Sequence, residues 1–214
     1  MLPGDRILVI VGVAGLAALT WHELADEPGT TWTNEDDLDL ARRVASDRAS
    51  FGILYDRYVH RIYGYCYRRL GNREAAEDAT SQTFLKLLAA LQKPPRKAGS
   101  IRSWIFTTAY HVMIDDFRTA RPTSPLNDAD DLFATSPGPE AIAVERETGR
   151  ELHRLVARLP GEQSDLVYLR LAGLTDQEIA QVLGKSYGAV RIGQHRAIKR
   201  LRTMYAQIEG EQSR

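Results

Sequence analysis

Large apolar side chains recur every three or four positions over most of the chain after residue 36. One such series consists of Phe51, Tyr55, Tyr58, Ile62, Cys66 and Leu70. This spacing places its members on one face of an α-helix. The sequence contains no stretch with the period-two alternation of a half-buried strand. The pattern therefore predicts an all-α fold.

A second amphipathic segment follows Gly71-Asn72, a pair that is typical of a helix end. Its predicted buried face comprises Ala76, Ala79, Thr80, Thr83, Phe84, Leu87, Leu88 and Leu91. Its opposite face is polar, and acidic near its beginning, with Glu74, Glu77 and Asp78. This segment is predicted to be a helix whose exposed face carries negative charge.

A basic loop separates this helix from the next one. Residues 93–99 contain three basic side chains and two prolines, which remove backbone donors and exclude a helix. Ser100 or Ser103 is then expected to cap a helix that carries Trp104 and Ile105 on its apolar face.

Residues 121–140 have a different composition, with four of the nine prolines and three closely spaced aspartates. Such a segment predicts a flexible acidic linker. The expected architecture is two small helical domains, over residues 35–120 and 141–208, joined by this linker and followed by a short tail over 209–214.

Residues 1–34 form an apolar and acidic extension of uncertain role. The apolar run Ile7–Leu19 is shorter than the roughly 20 residues of a membrane-spanning helix. A secretory signal is disfavoured because Arg6 is the one basic residue before this run. A membrane tether and a start site placed too far upstream stay open. The single cysteine forms no internal disulfide, so a cytoplasmic location is expected.

The second domain contains a helix-turn-helix pattern. Thr175 and Glu178 form a capping box that predicts a helix from Asp176. Gly184 suits the turn, and Ala180 and Val190 have the spacing of residues packed between the two helices. Ser186 is expected to cap the second helix, which runs to about Met204.

This second helix is strongly basic, although the whole chain has 28 basic and 28 acidic residues. Between residues 179 and 208 there are six cations and no acidic residue. The cations are Lys185, Arg191, Arg196, Lys199, Arg200 and Arg202. Unopposed cations on such a helix are typical of DNA binding, because they neutralise phosphates. The mid-helix Gly193 suggests a close backbone approach.

Taken together, these segments resemble bacterial RNA polymerase sigma factors of the extracytoplasmic-function (ECF) type. The resemblance covers residues 36–206. It rests on Phe51–Tyr58, Ala76–Phe84, Ser103–Ala109, Ile114–Arg118, Leu159-Pro160 and the helix-turn-helix up to Ala197, which occur in the family's order. It implies a sigma domain two-like helical bundle and a helix-turn-helix domain that together direct promoter-specific transcription initiation and assist promoter melting.

The resemblance implies a role for each cluster. Glu77, Asp78 and Gln82 would bind the β′ clamp helices of core RNA polymerase, and the β flap is a further expected contact. Binding of the melted minus-ten element is implied for Arg96, Lys97, Arg102, Tyr110, His111 and Arg118. Binding of the minus-thirty-five element is implied for Lys185, Ser186, Tyr187, Arg191, Gln194, His195, Arg196 and Lys199. An anti-sigma factor is a further possible partner.

Other functions fit the sequence less well. His111 and Asp115 lie one helical turn apart, but two such ligands fall short of a metal site. The sequence has no phosphate-binding glycine loop or nucleophile elbow, so neither catalysis nor a cofactor nor a small-molecule substrate is expected. The main alternative is a conventional helix-turn-helix regulator that binds promoter DNA without core polymerase.

Overall fold

The computed structural model describes residues 34–93, 100–119 and 152–212. In chain order the helices are α1 (Asn34–Arg43), α2 (Ala49–Leu70), α3 (Arg73–Leu91), α4 (Ile101–Thr119), α5 (Gly161–Leu171), α6 (Asp176–Leu183) and α7 (Tyr187–Gln212). Residues 152–157 are also helical, and none of the described residues forms a strand. The prediction of an all-α fold is confirmed. The linker over 121–140 and the apolar run Ile7–Leu19 lie outside the described residues.

The chain divides into two compact units. In the described part, one unit contains α1 to α4 and residues 177–185, and the other contains residues 152–176 and 186–212. In the first unit α2 packs against α1, α3 and α4, and α4 also contacts α1 and α3. In the second unit α5 packs against α7. The described ranges contain no helix that is long and apolar enough to cross a membrane.

The predicted helix end at Gly71-Asn72 is confirmed. Gly71 has a left-handed φ of 67°, and its N–H donates to the carbonyl oxygen of Tyr67 at 2.8 Å. The left-handed conformation is one that glycine adopts without a Cβ penalty. The Asn72 side chain then accepts the N–H of Ala75 at 2.9 Å and caps α3. These two adjacent residues end one helix and start the next, so α2 and α3 form a hairpin.

The core of the first unit follows α2, although Phe51 and Leu70 of the predicted stripe are half-buried and Tyr55 is exposed. Leu54, Ile62 and Tyr65 are fully buried, and the Tyr65 ring lies 5.4 Å from that of Phe106 in α4. Tyr55 is instead 41% exposed, although its ring edge contacts Phe84. Ile62, which is seven residues later and has nearly the same helical phase, is fully buried, so the exposure of Tyr55 is not a consequence of its angle around α2.

A buried polar cluster joins α1 to α2. The Asp37 carboxylate is 3% exposed and binds the Arg57 guanidinium at 2.7 Å. The Tyr58 hydroxyl donates to the other Asp37 oxygen, and burial, together with this bond, raises the pKa of Tyr58. Because a buried charge is stable only when it is paired, this cluster fixes how α1 docks on α2.

Candidate polymerase and nucleic-acid interfaces

The outer face of α3 presents the three residues predicted to bind polymerase. Glu77, Asp78 and Gln82 are all exposed. The opposite side of α3 is buried as the sequence predicts, except that Leu88 is half-buried. Its buried residues are Ala76, Ala79, Thr80, Thr83, Phe84, Leu87 and Leu91. Arg73 pairs with Glu77 at 2.9 Å, but both side chains are more than half exposed. Such a surface pair is weak, so the carboxylates of Glu77 and Asp78 are both accessible.

The same face carries an exposed leucine that the sequence reasoning missed. Leu85 is 66% exposed and follows Gln82 by three residues, so the two side chains are neighbours on the helix surface. The exposure of Leu85 can be predicted from the Phe84-Leu85 pair, because the side chains of two adjacent helical residues point about 100° apart and Phe84 faces inward. The outer face of α3 therefore combines carboxylates with an apolar side chain.

The predicted minus-ten residues are only partly described. Arg96 and Lys97 lie outside the described residues, as does the side chain of Arg118, whose backbone belongs to α4. Tyr110 is half-buried and His111 is exposed, with their ring centroids 5.9 Å apart. The exposed side of α4 therefore offers an aromatic and an imidazole ring side by side.

Arg102 is engaged with a carboxylate within the first unit. Its guanidinium lies 3.6 Å from Oε2 of Glu178, and the Ser100 hydroxyl donates to Oε1 of the same carboxylate at 3.1 Å. The Arg102 side chain is 25% exposed. Ser100 also accepts the N–H of Ser103 at 3.2 Å, so Ser100 is the residue that caps α4. Part of the charge of Arg102 is thus already neutralised by Glu178.

The turn after α6 has the predicted chemistry. Gly184 has a left-handed φ of 62°, and the N–H of Lys185 donates to the carbonyl oxygen of Ala180 at 2.9 Å. The Ser186 hydroxyl accepts the N–H of Ala189 at 3.2 Å and caps α7. The predicted starts of both helices at Asp176 and after Ser186 are confirmed. The second helix runs to Gln212, beyond the predicted end near Met204.

One side of α7 is lined by exposed polar and cationic residues. Tyr187, Arg191, His195, Arg196 and Lys199 are all exposed, as is Ser186, and Lys185 is half-buried. The Arg191 guanidinium lies 6.0 Å from the centroid of the Tyr187 ring, within the range of a cation–π contact. This arrangement holds a positive charge against an aromatic ring near the amino-terminal end of the helix.

Gln194 does not belong to this exposed set. Its side chain is 2% exposed, and its amide nitrogen donates to Oδ1 of Asp176 at 3.0 Å. Asp176 also lies 3.4 Å from the guanidinium of the buried Arg170, which donates to the carbonyl oxygen of Leu174. The prediction that Gln194 contacts DNA is corrected, because the side chain faces the interior and fixes α7 to the residue that begins α6.

Gly193 allows α7 to approach α5 closely, as the sequence suggested. A Cβ at this position would lie 2.5 Å from Cδ1 of Leu166, a distance that real Cβ contacts do not show. Leu166 is 3% exposed, so its side chain would have to shift among buried neighbours to admit a Cβ. Gly193 and Gln194 together determine how the basic helix is seated in its unit.

The described side chains include no group of three or more His, Cys, Asp or Glu residues that could hold a metal ion. His111 and Asp115 are both exposed on α4. Among the described residues, α3 carries an acidic and apolar surface, α4 a neighbouring pair of rings, and α7 a cationic surface.

In a comparison with known families, the α3 and α4 surfaces fall in one conserved region of a protein family and the α7 surface falls in another region of the same family. Residues 54–123 match the model of Sigma-70 region 2, and residues 149–201 match that of Sigma-70 region 4. The first match contains α3 and α4, and the second contains the helix-turn-helix and the cationic part of α7. Region 2 thus precedes region 4 along this chain.

Curated relatives and a solved structure agree with this assignment. The ECF RNA polymerase sigma factor BldN of Streptomyces coelicolor is 33% identical over 76% of this chain, which spans 62% of BldN. ShbA of Streptomyces griseus, also an ECF sigma factor, is 34% identical over 67% of this chain and 81% of its own length. The structure of CnrH in complex with the cytosolic domain of CnrY has a TM-score of 0.62 at 23% identity, covering 80% of this chain and 98% of CnrH, and therefore shares the fold. On these matches, the chain belongs to the ECF family of sigma-70-type RNA polymerase sigma factors.

Proposed function

We propose that this protein binds core RNA polymerase and directs it to promoters by recognising a minus-thirty-five and a minus-ten element. The observation that carries the proposal is the presence of region 2 and region 4 in one chain, each with its candidate surface. A conventional regulator needs a DNA-binding helix but no Sigma-70 region 2, so the alternative is less well supported. The reaction itself belongs to the polymerase, and we assign no catalytic step to this chain.

The polymerase contact is assigned to α3. Asp78 and Gln82 are exposed on the same face, and Leu85 adds an apolar group beside them. A negative surface favours a basic partner surface and speeds its encounter, while a desolvated apolar side chain contributes to affinity. The β′ clamp helices are the proposed partner of this face, and the β flap is proposed to contact the second unit.

The promoter contacts are assigned to α4 and α7. His111 and Tyr110 are candidates for base contacts in a single strand, where stacking on aromatic rings is effective. Arg191, Arg196 and Lys199 are candidates for contacts in the major groove of the minus-thirty-five duplex. Both partners are found in the bacterial cytoplasm, so we propose that location.

An anti-sigma partner is part of the proposal. CnrH, whose fold this chain shares, was solved in complex with the cytosolic domain of CnrY. A protein of this fold is thus able to bind a second protein. Such binding would inhibit initiation if it covered either proposed surface.

Run-off transcription with purified core RNA polymerase tests the proposed function. With host genomic fragments as templates, the protein should retain core polymerase in a pull-down and give new transcripts from discrete start sites. Binding to DNA fragments without retention of core would instead establish a conventional regulator.

The assignment of the α3 face is tested by charge reversal. Asp78→Lys should weaken retention of core polymerase by at least about tenfold, because it places a cation against a basic surface. Leu85→Ser should weaken retention without loss of stability, since Leu85 is largely exposed. Asp56→Lys reverses an exposed acidic residue on α2 and is the matched control. Equal losses for Asp56→Lys and Asp78→Lys would refute a specific role for α3.

A further inference from the structure

An apolar side chain lies in the middle of the cationic surface of α7. Ile192 is 55% exposed, although large aliphatic residues usually face the core. The buried side of the helix is defined by Val190, Gln194, Ala197 and Leu201. Helical geometry places Ile192 almost opposite to this side, so it is among the residues that project furthest from the unit.

The neighbours of Ile192 are suited to a polyanion. Arg191 and Arg196 are exposed on either side of it along the chain, and His195 and Lys199 follow on the outward face. One turn before Ile192 is Gly188, where a Cβ would meet no atom within 4 Å. The absence of a side chain at Gly188 leaves open space beside Ile192, through which a ligand could approach the helix closely.

The chemistry of the Ile192 side chain restricts which groups of a bound ligand it can recognise. It has no hydrogen-bond donor for a phosphate and no partner for the polar edges of bases. In the major groove the apolar group of an unmodified base is the C5-methyl of thymine. The β-branched side chain is also stiff at χ1, so its methyl groups are positioned before binding.

We propose that Ile192 is a specificity-determining residue that contacts the methyl group of a thymine in the minus-thirty-five element. This inference rests on the proposed function, because it requires α7 to enter the major groove of promoter DNA. The flanking cations would supply most of the affinity through phosphates, and Ile192 would distinguish thymine from a base without the methyl group.

The test removes the methyl group from the DNA. The full-length protein assembled with core RNA polymerase first selects a minus-thirty-five sequence from duplexes that contain a randomised block. Each thymine of the selected duplex is then replaced by deoxyuridine, which pairs identically but lacks the methyl. At one position the replacement should weaken binding about fourfold, the effect expected for one methyl group in an apolar contact.

Variants of the protein locate the contact. Ile192→Ser should bind the thymine and deoxyuridine duplexes equally, whereas Ile192→Val should retain the preference for thymine. Ile53→Ala, which truncates an isoleucine that is 46% exposed on α2, should keep the full preference. The ratio of the two affinities is measured for each protein by itself, so differences in assembly with core polymerase cancel.

Several results would overturn the proposal. One is an equal affinity of the wild-type protein for the thymine and deoxyuridine duplexes at every position. The others are a preference for thymine that persists in Ile192→Ser and a selected sequence that contains no thymine. If the holoenzyme selects no sequence at all, the proposed function fails and this inference fails with it. Selection of a defined sequence without a methyl effect would overturn the inference while leaving the proposed function intact.

Discussion

The side-chain amide of Gln194 in α7 donates a hydrogen bond of 3.0 Å to the carboxylate of Asp176, the first residue of α6. Gln194 is the buried end of this bond, and Arg170 is the second partner of the same carboxylate. A hydrogen bond to a charged group of this kind is stronger than one between neutral groups. The bond therefore links the start of one helix of the helix-turn-helix to the middle of the other.

Replacing this amide by a carboxylate should destabilise the protein. We expect Gln194→Glu to lower the free energy of unfolding by about 1–3 kcal/mol, because two carboxylates would face each other in a poorly hydrated site. Urea denaturation of the full chain measures the change. Gln181→Glu makes the same substitution at an exposed position of α6 and should have almost no effect. Adding Asp176→Asn to Gln194→Glu should recover much of the loss, and an additive double variant would contradict the pairing.

Gly193→Ala should also destabilise the protein, although alanine favours a helix. The new Cβ would overlap Cδ1 of Leu166, and overpacking of a buried site costs about 1–3 kcal/mol, which exceeds the gain of about 1 kcal/mol in helix propensity. Thermal or urea unfolding gives the sign of the effect. Gly188→Ala is the matched control, because its Cβ would meet nothing and should raise stability. If both substitutions stabilise the protein equally, the packing of α7 on α5 is looser than the structure indicates.

Removal of the buried carboxylate in the first unit should have a larger effect. Asp37→Ala leaves Arg57 and Tyr58 without their shared acceptor, and breaking a buried ion pair costs about 3–5 kcal/mol. Asp39→Ala removes a carboxylate from the same helix whose pair with Arg42 is exposed, and its cost should stay below about 1 kcal/mol. The two variants are compared by urea denaturation, in which the circular dichroism signal of the helices monitors unfolding. Similar costs for both would show that Asp37 does not anchor α1.

The single cysteine should be unreactive in the folded protein. Cys66 is fully buried, and burial raises its thiol pKa to about 12, so the reactive thiolate is scarce at pH 8. An aromatic disulfide reagent at that pH should react slowly with the native chain and rapidly in urea. The control is Leu85→Cys combined with Cys66→Ala, which places the thiol at an exposed position. Fast reaction of native Cys66 would contradict its burial.

The same shift predicts a loss of stability in alkali. The thiol pKa is 9.0 in an unfolded chain and about 12 in the folded one, so the unfolded state loses its proton first. The protonated thiol's contribution to the free energy of unfolding is fully present below pH 9 and disappears as the pH rises towards 12. Tyr58, whose pKa is also raised, acts in the same direction at still higher pH. Cys66→Ala should therefore flatten the alkaline part of the stability profile, measured by urea denaturation at several pH values.

Local chemistry made much of the fold predictable from the sequence. The helix end at Gly71, the caps at Ser100 and Ser186 and the turn at Gly184 each depend on a few adjacent residues. The burial of Tyr55 is predicted wrongly, because a helical period shows which side of a helix is covered but not over what length.

The candidate site was less predictable, because it depends on partners that are distant in sequence. Gln194 has the polarity of a DNA contact but is buried, since Asp176 provides an acceptor inside the unit. Arg102 has the charge of a phosphate contact but is paired with Glu178, which is remote along the chain. Leu85 and Ile192 are apolar, a property that favours burial, although helical geometry exposes both.

The contrast between the two sides of α7 has a consequence for how promoter preference can change. The side that carries Gly193 and Gln194 tolerates little substitution, because it is fitted to Leu166 and Asp176. The opposite side, with Gly188, Ile192 and Lys199, contributes little to the interior. Residues there are free to vary without unfolding the unit, so an altered minus-thirty-five preference can be evolved or engineered while the scaffold stays folded.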